Sequence, residues 1–209
     1  MNNTSDSIKK FITVIVAVVF LFPQLTFASH RDSSSLETKI NRLDSESVEE
    51  LAIPIMYGVG VVHLVDSFGD PRSGGRGHEG IDIFAPRGTL IASPTEAVVT
   101  KIEDSGFGGI QVWTANPGEE SFYYAHLDGV WPELEVGDEL DPGDPIGFVG
   151  NTGNASSASP HLHLGIYDND RNAINPYERL TKTFDLEDII KILTDYINYL
   201  KDELEKRGA

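Results

Sequence analysis

Between residues 57 and 165, turn-forming residues interrupt the chain at short intervals. Glycine and proline, 20 and 11 in the whole chain, recur there beside aspartate and asparagine and separate short apolar stretches rich in β-branched residues. Short strands joined by tight turns produce this pattern, whereas helices need longer uninterrupted segments. The chain is therefore predicted to be mostly β, folded as a sandwich or a partly open barrel over residues 51–182. The expected strands include segments 60–65, 90–92, 97–102, 110–113, 122–127, 146–149 and 161–166.

Two segments of different character flank the predicted β body. Residues 29–50 are polar with a short helical pattern around Leu36 and Ile40, and are interpreted as a linker that contains a short helix. From Asp185 onward, apolar residues recur at the spacing of one helix face, so residues 183–209 are predicted to form an amphipathic helix that Asp185 caps. Its apolar face is expected to pack on the β body; dimerisation is the alternative.

The first 28 residues are interpreted as an export signal. Lys9 and Lys10 precede an uninterrupted apolar run, residues 11–22, and small residues lead up to a cleavage site after Ala28. The run is shorter than the ~20 apolar residues that span a bilayer, which favours cleavage over an uncleaved membrane anchor. Both interpretations place the domain outside the cytoplasm, as a periplasmic or secreted protein. No cysteine follows the run, which excludes a bacterial lipoprotein.

Composition excludes several classes of partner. The chain carries 33 acidic and 16 basic residues, a net charge of −17. Removal of residues 1–28, which contain two lysines and one aspartate, changes the charge to −18. Nucleic acid and anionic membranes would be repelled, so neither is an expected partner. Because the chain has no cysteine, disulfides and thiolate ligands are excluded, and any metal must be held by histidine, aspartate or glutamate.

Four of the six histidines fall into spacings that suit a metal site. His78 and Asp82 form an H-x-x-x-D motif, His161 and His163 form an H-x-H motif, and His126 lies between the two motifs. Side chains two residues apart in a strand point to the same face, so the histidines of the pair project together. Each motif by itself is weak, but their combination in a chain with few other histidines favours a metal centre.

Zinc suits this set of nitrogen and oxygen ligands. Three protein ligands plus a water are typical of a catalytic zinc, whereas structural zinc sites favour four ligands and thiolates. The helical H-E-x-x-H motif is absent, because residue 82 is aspartate. His30 and His63 are interpreted as lying outside the site.

Three segments resemble the signature motifs of the lysostaphin/LytM-type zinc metallopeptidases, a family of peptidoglycan endopeptidases. They are residues 77–82, 124–127 and 161–163, and the resemblance extends over roughly residues 57–180. It implies a two-sheet antiparallel β fold with one zinc ion per chain in an open groove. It also implies a role for each residue of the motifs: His78, Asp82 and His163 as zinc ligands, and His126 and His161 as catalytic histidines that orient the water and stabilise the tetrahedral intermediate.

The sequence departs from the family pattern beside the expected groove. Arg72 stands where lysostaphin-like members have tyrosine, and could bind a carboxylate of the substrate or form a surface salt bridge. Residues 96–97 replace the usual Asp-Gly, and residues 157–160 lack the usual glycine, which leaves substrate detail open. Four aromatic residues could line the groove, although packing roles are favoured: Trp113, Tyr123, Tyr124 and Trp131.

The resemblance predicts a zinc-dependent endopeptidase that hydrolyses peptide bonds in peptidoglycan cross-links. One alternative is a non-enzymatic activator of cell-wall amidases, but such relatives usually lack at least one of the five site residues. A secreted protease acting on ordinary proteins is the other alternative. The expected partners are peptidoglycan peptides and a regulatory or targeting protein, since no wall-binding module is recognisable.

Overall fold

The computed structural model describes residues 34–72 and 74–208. No helix within these two ranges is long and apolar enough to cross a membrane. The predicted export signal, residues 1–28, and His30 lie outside the described residues.

Eleven strands and two α-helices make up the regular structure of the described residues. The helices are α1 (Leu36–Ile40) and α2 (Leu186–Gly208). Short 3-10 turns lie at Val61–His63, Pro117–Glu119, Gly153–Ala155 and Tyr177–Arg179. The strands are β1 (Leu51–Ala52), β2 (Ile81–Phe84), β3 (Leu90–Ala92), β4 (Ala97–Ser105), β5 (Gly109–Asn116), β6 (Glu120–Val130), β7 (Glu139–Leu140), β8 (Pro145–Val149), β9 (His161–Tyr167), β10 (Ala173–Ile174) and β11 (Leu180–Lys182).

Nine of these strands form one large antiparallel sheet. Its main path runs β10-β9-β6-β5-β4-β7, with β2 paired to β9, β3 to β8, and β8 to β6. A second, two-stranded sheet joins β1 and β11 in parallel. The prediction of a mostly β fold is confirmed, and the strands of the described residues form open sheets with no closed barrel.

Strand predictions were correct where a partner strand exists, and wrong for residues 60–65. This segment instead contains the 3-10 turn Val61–His63. The amide of Gly60 donates to Nδ1 of His63 at 2.9 Å, and the His63 amide donates to the Gly60 carbonyl at 2.8 Å. Local hydrogen bonds therefore replace a strand ladder, and Val62 is left 89% exposed.

The core consists of aliphatic and aromatic side chains from residues 51–56 and from strands β2 to β9. In β9 the alternate residues Leu162, Leu164 and Ile166 are all fully buried. The largest fully buried side chains are Tyr124, Phe122, Leu51, Ile53, Ile55, Ile81, Ile83, Leu90, Ile91, Leu127, Ile146 and Leu162.

The segment before β1 is fastened to the main sheet. Lys39 of α1 is buried and donates from Nζ to the carbonyl of Gly137 at 2.8 Å. Arg179 pairs with the buried carboxylate of Glu120 at 2.8 Å and also donates to the carbonyl of Val48 at 2.6 Å. The predicted short helix is present, and contacts on both sides of residues 40–47 hold this polar segment against the body.

Helix α2 begins where its capping residue predicts. Oδ1 of Asp185 accepts hydrogen bonds from the amides of Glu187 at 2.9 Å and Asp188 at 3.0 Å. The expected capping by Asp185 is therefore confirmed. Whether the apolar face of α2 packs on the body or dimerises stays a prediction.

Candidate active site

The pairing of β2 with β9 places Asp82 directly opposite His163. Leu162 and Leu164 point into the core and are fully buried, so the alternate residues His161 and His163 face away from it. The two histidines of the H-x-H motif therefore project from the same face of β9, as expected. The carboxylate of Asp82 joins them from the neighbouring strand.

His78 reaches the same point from the loop that precedes β2. Its backbone amide donates to the carbonyl of Asp70 at 2.9 Å, which fixes the end of this loop. Its Nδ1 lies 2.8 Å from the carbonyl oxygen of Ser67. Because a carbonyl oxygen only accepts, Nδ1 carries the proton and Nε2 presents a lone pair, the tautomer that metal-binding histidines usually adopt.

Three ligand atoms converge at this point. Nε2 of His78 lies 2.9 Å from Nδ1 of His163, and Oδ1 of Asp82 lies 3.1 Å from each of these nitrogens. Tetrahedral zinc bonds of about 2.0–2.1 Å place neighbouring ligand atoms roughly 3.3 Å apart, close to these separations. In addition, the lone pair of His78 Nε2 faces the carboxylate of Asp82 at 3.1 Å, and two acceptors in contact repel each other. A cation bound between them would remove this repulsion. The donor set therefore fits a divalent metal ion.

Ionisation of the cluster also suits a metal. Burial raises the pKa of Asp82, but the hydrogen bonds and charges of His163 and His78 outweigh it and hold that pKa well below its usual range. Burial lowers the pKa of His163, which keeps its imidazole neutral. Metal ligands must be deprotonated, and both groups are in that state at neutral pH.

Gly80 makes the close approach of these ligands possible. A Cβ atom at this position would lie 2.8 Å from Cε1 and 2.9 Å from Nε2 of His163. Any side chain there would displace the imidazole. Sequence reasoning treated Gly80 only as part of a motif; its position between His78 and Asp82 is the signal that could have identified it.

Arg72 contacts the candidate metal-ligand cluster, which consists of His78, Asp82 and His163. Its Nη2 donates to Oδ2 of Asp82 at 2.6 Å, while Oδ1 of the same carboxylate faces the two histidines. The sequence left two interpretations of Arg72 open, binding of a substrate carboxylate or a surface salt bridge. The structure shows an ion pair, and its partner is Asp82 of the candidate site. A role in binding substrate stays a prediction.

His126 lies where β6 changes partners. Ala125 forms the last pair with β9, and Leu127 forms the first pair with β8. Between them, His126 adopts a φ of 64°, a left-handed conformation that is uncommon for a residue with a side chain. Its amide donates to the carbonyl of Gly108 at 2.9 Å, and its side chain lines the groove.

His126 and His161 present equivalent nitrogens beside the metal-ligand cluster. Nδ1 of His126 donates to the carbonyl of Thr152 at 3.0 Å, and Nδ1 of His161 donates to the carbonyl of Ser159 at 2.8 Å. Each imidazole thus keeps an acceptor Nε2, and that of His161 lies 3.8 Å from Oδ1 of Asp82. Burial, followed by the charges of the neighbouring histidines, lowers the pKa of His126 to about 4. Both residues can serve as proton acceptors, and their catalytic role stays a prediction.

The cluster lies in a groove of about 990 Å³. Of the four aromatic candidates, Trp113 and Tyr123 line it and stack at 4.3 Å between ring centroids. The other two, Tyr124 and Trp131, are buried packing residues. His63 lies outside the groove, in the 3-10 turn, as expected.

Two exposed phenylalanines of the groove were missed by sequence reasoning. Phe84 is 61% exposed and lies opposite His161 in the sheet, with ring centroids 5.2 Å apart. Alternation from Asp82 along β2 could have identified it, since residues two apart share a face. Phe107, 66% exposed, lies in the turn between β4 and β5, where no sequence pattern predicted it.

Comparisons with known proteins agree on one family. Residues 76–176 match the model of Peptidase family M23. The L-Ala–D-Glu endopeptidase of Bacillus subtilis is 36% identical over 124 residues, which are 54% of this chain and 38% of that protein. The DD-carboxypeptidase/endopeptidase Mpg of Neisseria meningitidis is 37% identical over 87 residues, which are 41% of this chain and 19% of that protein.

The structural comparison supports the same relationship. The crystal structure of LytM from Ruminococcus gnavus superposes with a TM-score of 0.54 at 35% identity, covering 63% of this chain and 59% of that one. Residues 76–176, which match the family model, contain the whole candidate metal-ligand cluster and both remaining histidines of the groove. The chain spans less than two fifths of the length of either curated relative.

Proposed function

Because residues 76–176 of the chain belong to peptidase family M23, we propose that the protein is a zinc-dependent endopeptidase that hydrolyses peptide bonds in peptidoglycan cross-links. One observation carries the proposal: potential ligand atoms of His78, Asp82 and His163 lie within 4.8 Å of one another in a groove that also presents His126 and His161. The Bacillus relative is named for a bond between L-alanine and D-glutamate, and a D-amino acid in the substrate supports a peptidoglycan peptide as the substrate class.

The ligands of the proposed zinc are His78, Asp82 and His163. When bound, zinc lowers the pKa of water and polarises the carbonyl of the bond to be cut. The protein's own contribution is to fix two of the three ligands before binding: a backbone carbonyl orients His78, and Arg72 holds the second oxygen of Asp82.

His161 and His126 move protons in the proposed reaction. Their Nε2 atoms are acceptors because backbone carbonyls bind both Nδ1–H groups. Nε2 of His161 lies 3.8 Å from Oδ1 of Asp82, so His161 takes a proton from the attacking water. An imidazolium formed in this way can stabilise the developing oxyanion and donate to the departing amine. The ring centroids of His126 and His161 lie 5.1 Å apart, so His126 is close enough to take part in the same proton transfers.

The alternative functions receive less support. Non-enzymatic amidase activators usually lack at least one of five residues that are all present here and converge in one groove. A protease acting on ordinary proteins would use the same site, so a panel of substrates separates that possibility. A peptidoglycan substrate also implies that the protein is exported, in agreement with the signal proposed for residues 1–28.

Digestion of purified peptidoglycan by residues 29–209 tests the proposal. Mass spectrometry identifies the fragments, and the zinc content of the protein is measured in parallel. The native protein should remove cross-linked fragments while it holds about one zinc per chain, as the catalytic sites of metallopeptidases do.

The matched control is His161→Ala, because this residue contributes no metal ligand in the proposed site. The variant should keep its zinc and lose roughly 10²–10⁴-fold in rate, the usual contribution of a general base. A native protein that holds zinc and cuts nothing would contradict the proposed activity. A protein that binds no zinc would contradict the ligand assignment.

A further inference from the structure

The charge of the groove differs from that of the whole protein. Four basic and three acidic residues line it, whereas the chain as a whole has 16 basic and 33 acidic residues. Setting the groove residues aside leaves 12 basic and 30 acidic residues elsewhere. An acidic protein of this kind repels anionic ligands everywhere except where cations are concentrated. The charged residues of the groove are Arg72, Arg76, Lys101, Arg171, Glu79, Asp82 and Asp168.

The four groove cations differ in their ion pairing within the described residues. Arg72 pairs with Asp82, and Lys101 pairs with Glu103 at 2.8 Å. Within residues 34–72 and 74–208, by contrast, neither Arg76 nor Arg171 forms an ion pair with a carboxylate. In a chain with twice as many acidic as basic residues, two unpaired arginines in one groove indicate that their charge serves a ligand.

Arg76 is held in position without losing its charge. Its guanidinium carbon lies 5.0 Å from the centroid of the Phe107 ring, and Phe107 belongs to the turn between β4 and β5. Stacking on an aromatic face leaves the N–H edge of a guanidinium free to bind a planar anion. The contact also joins two loops that border the groove.

Arg171 borders the groove from a different element. It lies in the turn between β9 and β10, where it has a φ of 66° and its amide donates to the carbonyl of Asp168 at 2.9 Å. The two arginines therefore approach the groove from separate loops. A ligand that lies along the groove would therefore contact both Arg76 and Arg171.

We propose that the groove selects peptides that carry free carboxylates, and that Arg76 and Arg171 are the residues that recognise them. This inference rests on the proposed function and specifies its substrate. Stem peptides contain D-glutamyl and, in many walls, diaminopimelyl residues whose carboxylates are either free or amidated. Glycine bridges carry no side-chain carboxylate. Charge-assisted bidentate hydrogen bonds from arginine distinguish a carboxylate from its amide.

The experiment compares two soluble stem peptides that differ only by amidation of their carboxylates. Binding is measured by calorimetry on the zinc-loaded His161→Ala protein, so that cleavage does not consume the ligand. Amidation should raise Kd by about tenfold for each carboxylate recognised, the effect expected for a hydrogen bond to a charged group. Arg76→Gln and Arg171→Gln, introduced separately into this protein, should each reduce that ratio.

Lys101→Gln is the matched control. It removes one positive charge from the same groove, but from a residue that already has a carboxylate partner. It should leave the ratio between the two peptides unchanged. Zinc content and thermal unfolding of every variant confirm that fold and metal site are intact.

Equal binding of both peptides, or no binding of either, would overturn the inference. So would an equal loss of discrimination in all three charge variants, because a general field rather than two specific residues would then be responsible. A protein that binds free carboxylates through Arg76 and Arg171 but cuts no peptidoglycan would retain this inference and contradict the proposed activity. A protein that cuts peptidoglycan but binds the free and amidated peptides equally would retain the proposed activity and contradict this inference.

Discussion

At the scale of single residues, Asp82 connects the metal-ligand cluster to the wall of the groove. One carboxylate oxygen faces His78 and His163, and the other accepts from Arg72. An arginine on Oδ2 restricts the rotation of the carboxylate and favours a single metal bond through Oδ1. Such outer partners orient metal ligands, and their loss commonly weakens metal binding.

Replacement of Arg72 by methionine should therefore weaken metal binding. Methionine keeps much of the length of the side chain and removes the donor to Asp82, so zinc affinity should fall by about 10–100-fold. Competition with a chromophoric chelator measures the effect directly. Arg76→Met is the control, since Arg76 stacks on Phe107 and makes no contact with Asp82 in the structure. Equal affinities of the two variants would show that the ion pair does not position the ligand.

At the scale of secondary-structure elements, strand pairing and end-capping place the functional groups. The β2–β9 pair sets Asp82 opposite His163, and the change of partner along β6 turns His126 toward the groove. At the other end of the chain, Asp185 satisfies two amides at the start of α2. Without that side chain these donors would need water, because the first turn of a helix has no internal acceptors.

Asp185→Ala should lower the free energy of unfolding by about 1 kcal/mol, the usual cost of removing a capping aspartate. Urea denaturation followed by circular dichroism at 222 nm measures this change. Asp170→Ala removes an exposed aspartate from a loop and should alter stability by less than about 0.5 kcal/mol. If the two variants unfold alike, the cap contributes nothing to the stability of the folded chain.

At the scale of the whole molecule, the proposed metal site joins segments that are distant in sequence. His78 and Asp82 precede His163 by more than eighty positions, and two of the three ligand atoms are acceptors in direct contact. A cation bound there would link the loop before β2 to the centre of the sheet. Since a preformed site does not exist in the unfolded chain, metal binding contributes to folding stability.

Removal of the metal should thus lower the melting temperature. Free zinc at about 100 times its Kd stabilises the folded state by about 2.7 kcal/mol, which corresponds to roughly 5–10 °C for a chain of this size. Thermal unfolding with and without a chelator measures the shift. His161→Ala should show the same shift, because it leaves the ligands in place. An unchanged melting temperature would indicate that no metal is bound to the folded protein.

The amino-acid sequence by itself determined six of the eleven strands, the capped C-terminal helix and the five motif residues, because turn chemistry and side-chain periodicity are local properties. Residues 60–65 show the limit of that information: their β-branched content is typical of a strand, but no strand of the described residues pairs with them. Only the tertiary structure decided which motifs come together, because strand pairing sets Asp82 opposite His163.

The contacts of Arg72, Arg76 and Phe107 were likewise decided by the fold. Each depends on two segments that strand pairing brings together, and no pattern within a single segment encodes such a meeting. Gly80 combines both kinds of information. The glycine is visible in a sequence motif, but the requirement for it comes from another strand, because the imidazole of His163 occupies the space that a Cβ atom would need. Local sequence thus specified the ligand types, and long-range packing specified their geometry and the charge of the groove around them.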